Sequence, residues 1–211
     1  MANNAKIINQ VSEEFLSSLK MPKRKTRKPV VVAMVGLIGS GKSSVAKTLA
    51  PLIGATLIGG DKIRVMLRDK KQEYNPVRSI TKKAISAALK AGSNVVLDSD
   101  FIDPQKRNDF EKKLKEFKTK MVYLRTFADR DTMIERLIKA KYNPNRDLFK
   151  NSTIAIREMW RRTPHHYSWS KTGGGRFTLK KLKIPFLAEI DTTTPEWRKK
   201  VREVATKIKT L

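Results

Sequence analysis

The sequence predicts an α/β fold, a three-layer sandwich built on a five-stranded parallel sheet. Three observations predict it: five short apolar runs rich in Val, Ile and Leu, stretches of helical periodicity between them, and a glycine-rich loop closing the first run. Continuous apolar runs mark strands buried on both faces, and parallel neighbours need crossover helices to join them.

Residues 1–20 read as an amphipathic N-terminal helix, because Ile7, Ile8, Val11, Phe15, Leu16 and Leu19 recur at helical spacing. Glu13 and Glu14 argue against a membrane role, so the helix is expected to pack on the domain or on a partner. Residues 21–29 form a basic linker. Lys23, Arg24, Lys25, Arg27 and Lys28 repel one another there, and Pro22 and Pro29 disfavour a helix. Such a strip stays solvated, tracks a phosphate backbone or serves as a localisation signal.

The main domain is expected over 30–211. A strand over 30–35 leads into a helix over 43–52, then a short strand over 55–58 ending in Gly59-Gly60-Asp61, then a helix through about Arg68. A helix over 76–91 stops at Gly92, which suits a left-handed cap. The strand over 94–98 precedes a helix over 104–120 that starts at Pro104 and carries supportive pairs such as Glu111 with Lys115. A strand over 121–127, helices over 129–140 and 147–162, a strand over 184–190 and a helix over 195–208 complete the alternation.

Hydrophobic and charged fractions of 39% and 31% over 211 residues suit one domain with a real core. Lys and Arg outnumber Asp and Glu by 46 to 20, giving a net charge of +26. An excess of that size attracts polyanions such as nucleic acid or an anionic membrane, unless it records only a lysine-rich proteome. The absence of cysteine excludes disulfides, thiolate metal sites and cysteine nucleophiles. No window approaches the ~20 apolar residues of a membrane span, and residues 1–20 lack the apolar core of a signal peptide. A reducing, ATP-containing cytoplasm is the expected location.

The loop Gly36-Leu37-Ile38-Gly39-Ser40-Gly41-Lys42-Ser43 fits G-x-x-x-x-G-K-[ST] at every fixed position and sits between a strand and a helix. Its glycines let backbone N–H groups turn inward at phosphates, and the helix that follows, through Ser43 and Ser44, points its positive end at the same anion. Lys42 is expected to reach the β- and γ-phosphates of ATP, and the Ser43 hydroxyl to coordinate Mg²⁺.

Ligands of a parallel sheet collect beyond the carboxyl ends of its strands. After the second strand stand Asp61 and Arg64, three apart on one helical face. The carboxylate can take the proton of an attacking hydroxyl, and the arginine can bind an acceptor phosphate or the migrating phosphoryl. The plainer alternative makes Asp61 an N-cap. After the third strand, Asp98 holds the Mg²⁺ shell through water or binds the acceptor hydroxyl, while Asp100 caps or faces solvent. After the fourth, one or two of Arg130, Arg136, Lys139, Lys141 and Arg146 are expected to form a lid over the γ-phosphate.

His165 and His166 have no cysteine or carboxylate motif beside them and read as surface histidines. Trp160 reads as core. Tyr167 and Trp169 read either as core or, with Arg161, Arg162, Lys171 and Arg176, as a stacking surface for a single strand. Gly173, Gly174 and Gly175 read as a mobile loop.

Taken together, "GLIGSGKSS", "GGDKIR", "ALKAGSNVVLDSDFIDPQKR", "RDTMIERLIKAKYNPNRD" and "FLAEIDTTTPE" make the chain resemble small P-loop kinases of the polynucleotide 5′-kinase and zeta-toxin type, an AAA_33-type group. The resemblance covers most of 30–211. It implies sheet order 2-3-1-4-5 and a helical lid, with residues 191–194 near adenine. It also implies that Asp61 is the general base, Arg64 an acceptor-phosphate contact, Asp98 an acceptor- or metal-side carboxylate and Arg136 a lid arginine on the ATP phosphates. Where relatives often carry a second lid arginine, this chain has Lys139 or Lys141, which lack the bidentate fork. Segment 165–183 has no counterpart.

The expected function is therefore ATP-dependent phosphoryl transfer to a hydroxyl. Net charge suggests the 5′-OH of RNA or DNA as acceptor and nucleic acid as partner. The alternatives are a small-molecule or tRNA-linked acceptor and, from another class, a nucleic-acid-binding ATPase or switch. A GTP switch is disfavoured because no N/T-K-x-D motif occurs.

Overall fold

The strand Val31–Val35 (β1) is buried along its whole length, and its side chains alternate between two cores. Val31, Ala33 and Val35 enter one hydrophobic cluster, whereas Val32 and Met34 enter the other. That alternation is the period of an extended strand, and it makes β1 the middle of a three-layer sandwich. The computed structural model from which this architecture is read describes residues 2–23, 25–171 and 175–211.

In chain order the other elements are α1 (Ala2–Ser17), α2 (Lys42–Leu52), β2 (Ala55–Gly59), α3 (Gly60–Asp69), α4 (Val77–Lys90), β3 (Asn94–Asp98) and α5 (Pro104–Lys115). They continue with β4 (Met121–Phe127), α6 (Arg130–Lys139), α7 (Ser152–His166), β5 (Tyr167–Ser170), β6 (Arg176–Leu179), β7 (Phe186–Asp191) and α8 (Trp197–Lys209). The five-stranded sheet runs β2-β3-β1-β4-β7, every pair parallel. This is the expected order, the fifth sheet strand being numbered seven because an antiparallel hairpin, β5–β6, intervenes.

Helices α1, α3, α4 and α5 cover one face through Phe15, Ile63, Ile80, Ala84 and Phe110; α2 and α8 cover the other through Val45, Leu49, Val201 and Val204. A third, smaller cluster joins α6, α7 and the hairpin through Met133, Met159 and Tyr167 and abuts the glycine-rich loop at Leu37. Helix α1 thus packs on its own chain, with Val11 and Phe15 fully buried against the first cluster. The described residues of the basic stretch after it adopt no regular structure, and the Thr26 amide donates to the Gly92 carbonyl at the end of α4 (2.7 Å). Gly92 has φ +74° and ends α4 as expected. Among the described residues no helix is long and apolar enough to cross a membrane.

Three boundaries differ from the periodicity. Helix α5 stops at Lys115 rather than 120, because Lys118 turns into the left-handed region (φ 50°) to bring the chain back into β4. Helix α7 begins at Ser152, where the Asn151 side chain accepts from the Ile154 amide (3.0 Å); the residues before it, Asn143 to Asp147, close a separate turn. It also runs on through Pro164 to His166. The hairpin was not foreseen, and of the expected glycine loop Gly173 and Gly174 lie outside the described residues, as does Arg24 of the linker.

Candidate functional site

The glycine-rich loop curls because two of its residues take a backbone conformation that side chains resist: Gly39 and Gly41 have φ of +85° and +82°. Gly36 is fixed for a different reason, close approach. A Cβ there would lie 2.5 Å from Thr126 Oγ1 and 2.6 Å from Ser40 Oγ. Gly36→Ala is therefore expected to lower stability by about 1–3 kcal/mol, the usual range for overpacking, and to weaken triphosphate binding. Thermal unfolding together with titration of a fluorescent ATP analogue checks both. Unchanged values in both would show that the loop yields without consequence.

Over this loop opens a cavity of about 590 Å³ at the carboxyl edge of the sheet. Gly36, Gly39, Gly41, Lys42, Ser43 and Ser44 line it from the loop and α2. Asp61, Arg64, Asp98 and Arg136 line it from the ends of β2, β3 and the lid helix α6. Ser40 alone of the predicted set turns away: it is fully buried, with its hydroxyl 2.8 Å from Thr126 Oγ1.

Lys42 donates to the Leu37 carbonyl at 2.9 Å, within its own loop. Burial lowers its pKa, against the opposing charges of Asp100, Asp98 and Asp61. The Ser43 hydroxyl donates to Asp98 Oδ1 at 3.1 Å. Burial raises the Asp98 pKa, with that hydrogen bond and Lys42 opposing. Asp61 does not cap α3: the N-cap is Gly59, and Asp61 Oδ1 instead accepts from Arg64 at 2.9 Å, with the carboxylate 65% exposed to the cavity. That exposure leaves the carboxylate accessible from the cavity.

Arg136 reaches the cavity but directs its guanidinium at protein oxygens, donating to Gly39 O (3.1 Å), to Thr192 Oγ1 (2.9 Å) and to the Thr192 carbonyl. Thr192, just after β7, also donates to Ser40 O at 3.1 Å and packs where a Cβ on Gly41 would stand, 2.8 Å away. Of the other lid cations, Lys139 pairs with Glu135 and Arg130 stacks on Trp160 at 4.9 Å. Lys141 and Arg146 line a different cavity of about 910 Å³, beyond Asp61 and beside α1. That cavity is larger, but it lacks the loop glycines and Lys42, so chemistry rather than size selects the 590 Å³ chamber.

Three expectations are corrected. His166 is not a surface residue: it is 1% exposed, and its Nε2 lies 2.9 Å from Asp100 Oδ2. Asp100 neither caps nor faces solvent. Its Oδ1 accepts from the amides of Gly36 and Ile102, both at 3.2 Å, so the Asp100–His166 pair ties the first loop glycine to the end of α7. Burial raises the Asp100 pKa, but the His166 bond and charge, Lys42 and the Gly36 amide together hold it below the usual carboxylate range. Trp160 is 37% exposed rather than core, because it closes over Phe177 of the hairpin (5.6 Å between centroids) instead of the sheet. Tyr167 is buried, whereas Trp169 is exposed.

Two cations were not expected in this chamber: Lys106 was not singled out, and Arg162 was read only as part of a stacking surface. Lys106, on the first turn of α5, and Arg162, near the end of α7, both line the 590 Å³ chamber. Both also line a neighbouring cleft of about 810 Å³, which further carries Arg64, Arg78 and Arg161. Arg64, Ser99, Asp100, Lys106 and Arg162 are common to the two, so cleft and chamber adjoin. The only local signal for them was position: Lys106 follows the third strand end by eight residues, and α7 was expected to stop at Arg162.

Residues 31–164 match the AAA_33 family, described as an AAA domain. No curated protein matches. Among solved structures, a gluconokinase from Sinorhizobium meliloti 1021 aligns with a TM-score of 0.52 and 15% identity over 89% of this chain and 96% of its own. A putative kinase from Chloroflexus aurantiacus gives 0.58 and 16% identity over 85% and 98%. The Mycobacterium tuberculosis APS kinase CysC, in complex with AMPPNP and APS, gives 0.51 and 16% over 86% and 95%. At such identities the likeness is one of fold.

Proposed function

The chain belongs to the AAA_33 family of P-loop kinases, and we propose that it transfers the γ-phosphoryl group of ATP to the hydroxyl of an anionic acceptor. One observation carries this reading: the cation-lined cleft of about 810 Å³ adjoins the phosphate-loop chamber, with Arg64, Lys106 and Arg162 lining both. Arg64, Arg78, Lys106, Arg161 and Arg162 outnumber the carboxylates Asp100 and Asp103 on the lining of this cleft, a balance that favours an anionic acceptor over a neutral one.

In this mechanism the loop amides and Lys42 hold the β- and γ-phosphates. Asp61 orients the acceptor hydroxyl and takes its proton as the oxygen attacks phosphorus. Arg64, fixed by its bond to Asp61, binds the acceptor or the migrating group. The residues fit a divalent cation such as Mg²⁺. Among the described residues no cluster of three or more His, Cys, Asp or Glu could hold a metal, but the Ser43–Asp98 hydroxyl–carboxylate pair beside a phosphate cradle suits a hard ion that brings phosphate oxygens and water as its other ligands. When bound, the ion offsets charge on the transferring group.

The kinases sharing the fold are named for small acceptors, which supports a small-molecule substrate. A second reading, the 5′-OH of RNA or DNA, draws its support from the +26 net charge. Radiolabelled ATP offered with small acids, nucleotides, nucleosides, tRNA and 5′-hydroxyl oligonucleotides at two salt concentrations separates them. A polynucleotide held by several phosphates should lose roughly 10³-fold in affinity between about 50 and 200 mM salt; a small acceptor loses far less. Hydrolysis of ATP with no acceptor labelled in any class would sink the transferase reading in favour of an ATPase.

A further inference from the structure

One cation of the acceptor cleft stands apart from the rest. Arg64 pairs with Asp61 at 2.9 Å, Arg78 with Asp103 at 3.0 Å, and Arg161 and Arg162 share Glu158 at 2.8 and 3.6 Å. Among the described residues Lys106 makes no ion pair. Its Nζ donates to the Asp100 carbonyl at 2.8 Å and lies 3.9 Å from the centroid of the Phe101 ring, which is itself fully buried. The ammonium is therefore held in place where chamber and cleft meet, with donors left over.

We propose that Lys106 and Arg78 form an anion subsite of the acceptor cleft, which takes a phosphate, sulfate or carboxylate group of the acceptor. The proposal rests on the kinase reading above and specifies its acceptor class. Arg78 can join because its pair with Asp103 is half exposed on both sides, and such pairs contribute little. An incoming anion replaces Asp103 at small cost.

The surroundings of Lys106 make this binding sensitive to pH. Burial pulls its pKa down to about 8; Asp100 and Asp103 oppose the shift, and Arg64 and Arg78 add to it. From α7, Arg161, Arg162 and His165 face the same cleft, while Lys42, Asp61 and Asp98 face the adjoining chamber. A bound anion favours the ammonium form and raises this pKa. Below about pH 8 the ammonium is already present; above it, binding must take up a proton. Affinity for an anion is thus fully developed near pH 7 and about tenfold weaker at pH 9.

Sulfate is a suitable probe because it does not titrate in this range. With the phosphate loop saturated by AMPPNP and Mg²⁺, calorimetric titration of the intact protein should show sulfate binding that weakens about tenfold from pH 7 to pH 9. Lys106→Arg should keep the affinity and lose the pH dependence, because a guanidinium stays charged throughout. Lys106→Met should bind weakly at both values. Absence of sulfate binding in the native protein, an unchanged pH slope in Lys106→Arg, or native affinity in Lys106→Met would each overturn the subsite. Failure to bind AMPPNP would overturn the triphosphate site itself, whereas AMPPNP binding without a pH-dependent sulfate site removes only the subsite.

Discussion

Asp61→Asn is expected to slow acceptor phosphorylation by about 10²–10⁴-fold while leaving ATP affinity in place, the range for loss of a general base. The asparagine keeps the shape and can still accept from Arg64, whose bond to Asp61 is the only side-chain contact described for that carboxylate. What disappears is basicity towards the substrate hydroxyl. Asp61 is not the N-cap of α3, which is Gly59; it stands in the first turn of the helix with its carboxylate open to the cavity. A stopped assay with labelled ATP, alongside binding of a fluorescent analogue, separates the two quantities. Full turnover in Asp61→Asn would take the base from this residue and leave the exposed carboxylate without a role.

Lys42→Ala is expected to cost about 10²–10³-fold in turnover, the scale measured when one preorganised donor to developing charge is deleted. Binding of the triphosphate should weaken as well, because the ammonium serves ground state and transition state alike. Lys42 also stands among Asp61, Asp98 and Asp100, which hold its proton against burial. Without it, Asp98 and Asp100 lose a cation that lowers their pKa values, so both should titrate higher in the variant. Arginine is not a remedy, since its planar fork does not reproduce a compact point charge between loop and phosphates. Turnover and nucleotide affinity close to native in Lys42→Ala would refute the phosphate-loop assignment.

What could be read in the sequence was what is local. The five sheet strands announce themselves because β-branched apolar runs have one use in such an alternation, and the loop 36–43 is specified by glycines whose backbone no other residue adopts easily. The residues at the strand ends, Asp61, Arg64 and Asp98, could be placed together because parallel strands share one carboxyl edge. Partners far apart in the chain could not. His166 looks like a polar residue in a polar run until Asp100, 66 residues away, is set beside it. Lys106 is one lysine in a helix full of charge, and only the folding of α5 beneath Phe101 directs it into the cleft. The hairpin β5–β6 was hidden by brevity: four-residue strands of mixed polarity, Tyr-Ser-Trp-Ser and Arg-Phe-Thr-Leu, carry too little periodicity to distinguish from loop. Trp169 of the hairpin and Trp160 of α7 each pack on Phe177 rather than on the sheet, and both stay partly exposed.

Thr192 has a consequence for the order in which this protein becomes competent. The loop that grips phosphate is made within the first quarter of the chain, yet its floor is completed by a residue near the far end: Thr192 fills the space beside Gly41, donates to Ser40 O and anchors Arg136. A ribosome emits the chain from the N-terminus, and domains acquire structure as they emerge. On the phosphoryl-transfer reading proposed above, the nascent chain exposes its glycine-rich loop long before the cradle is finished, because Thr192 takes its place only when β7 has been delivered and paired with β4. On that reading ATP meets a finished fold and is not a template for building it.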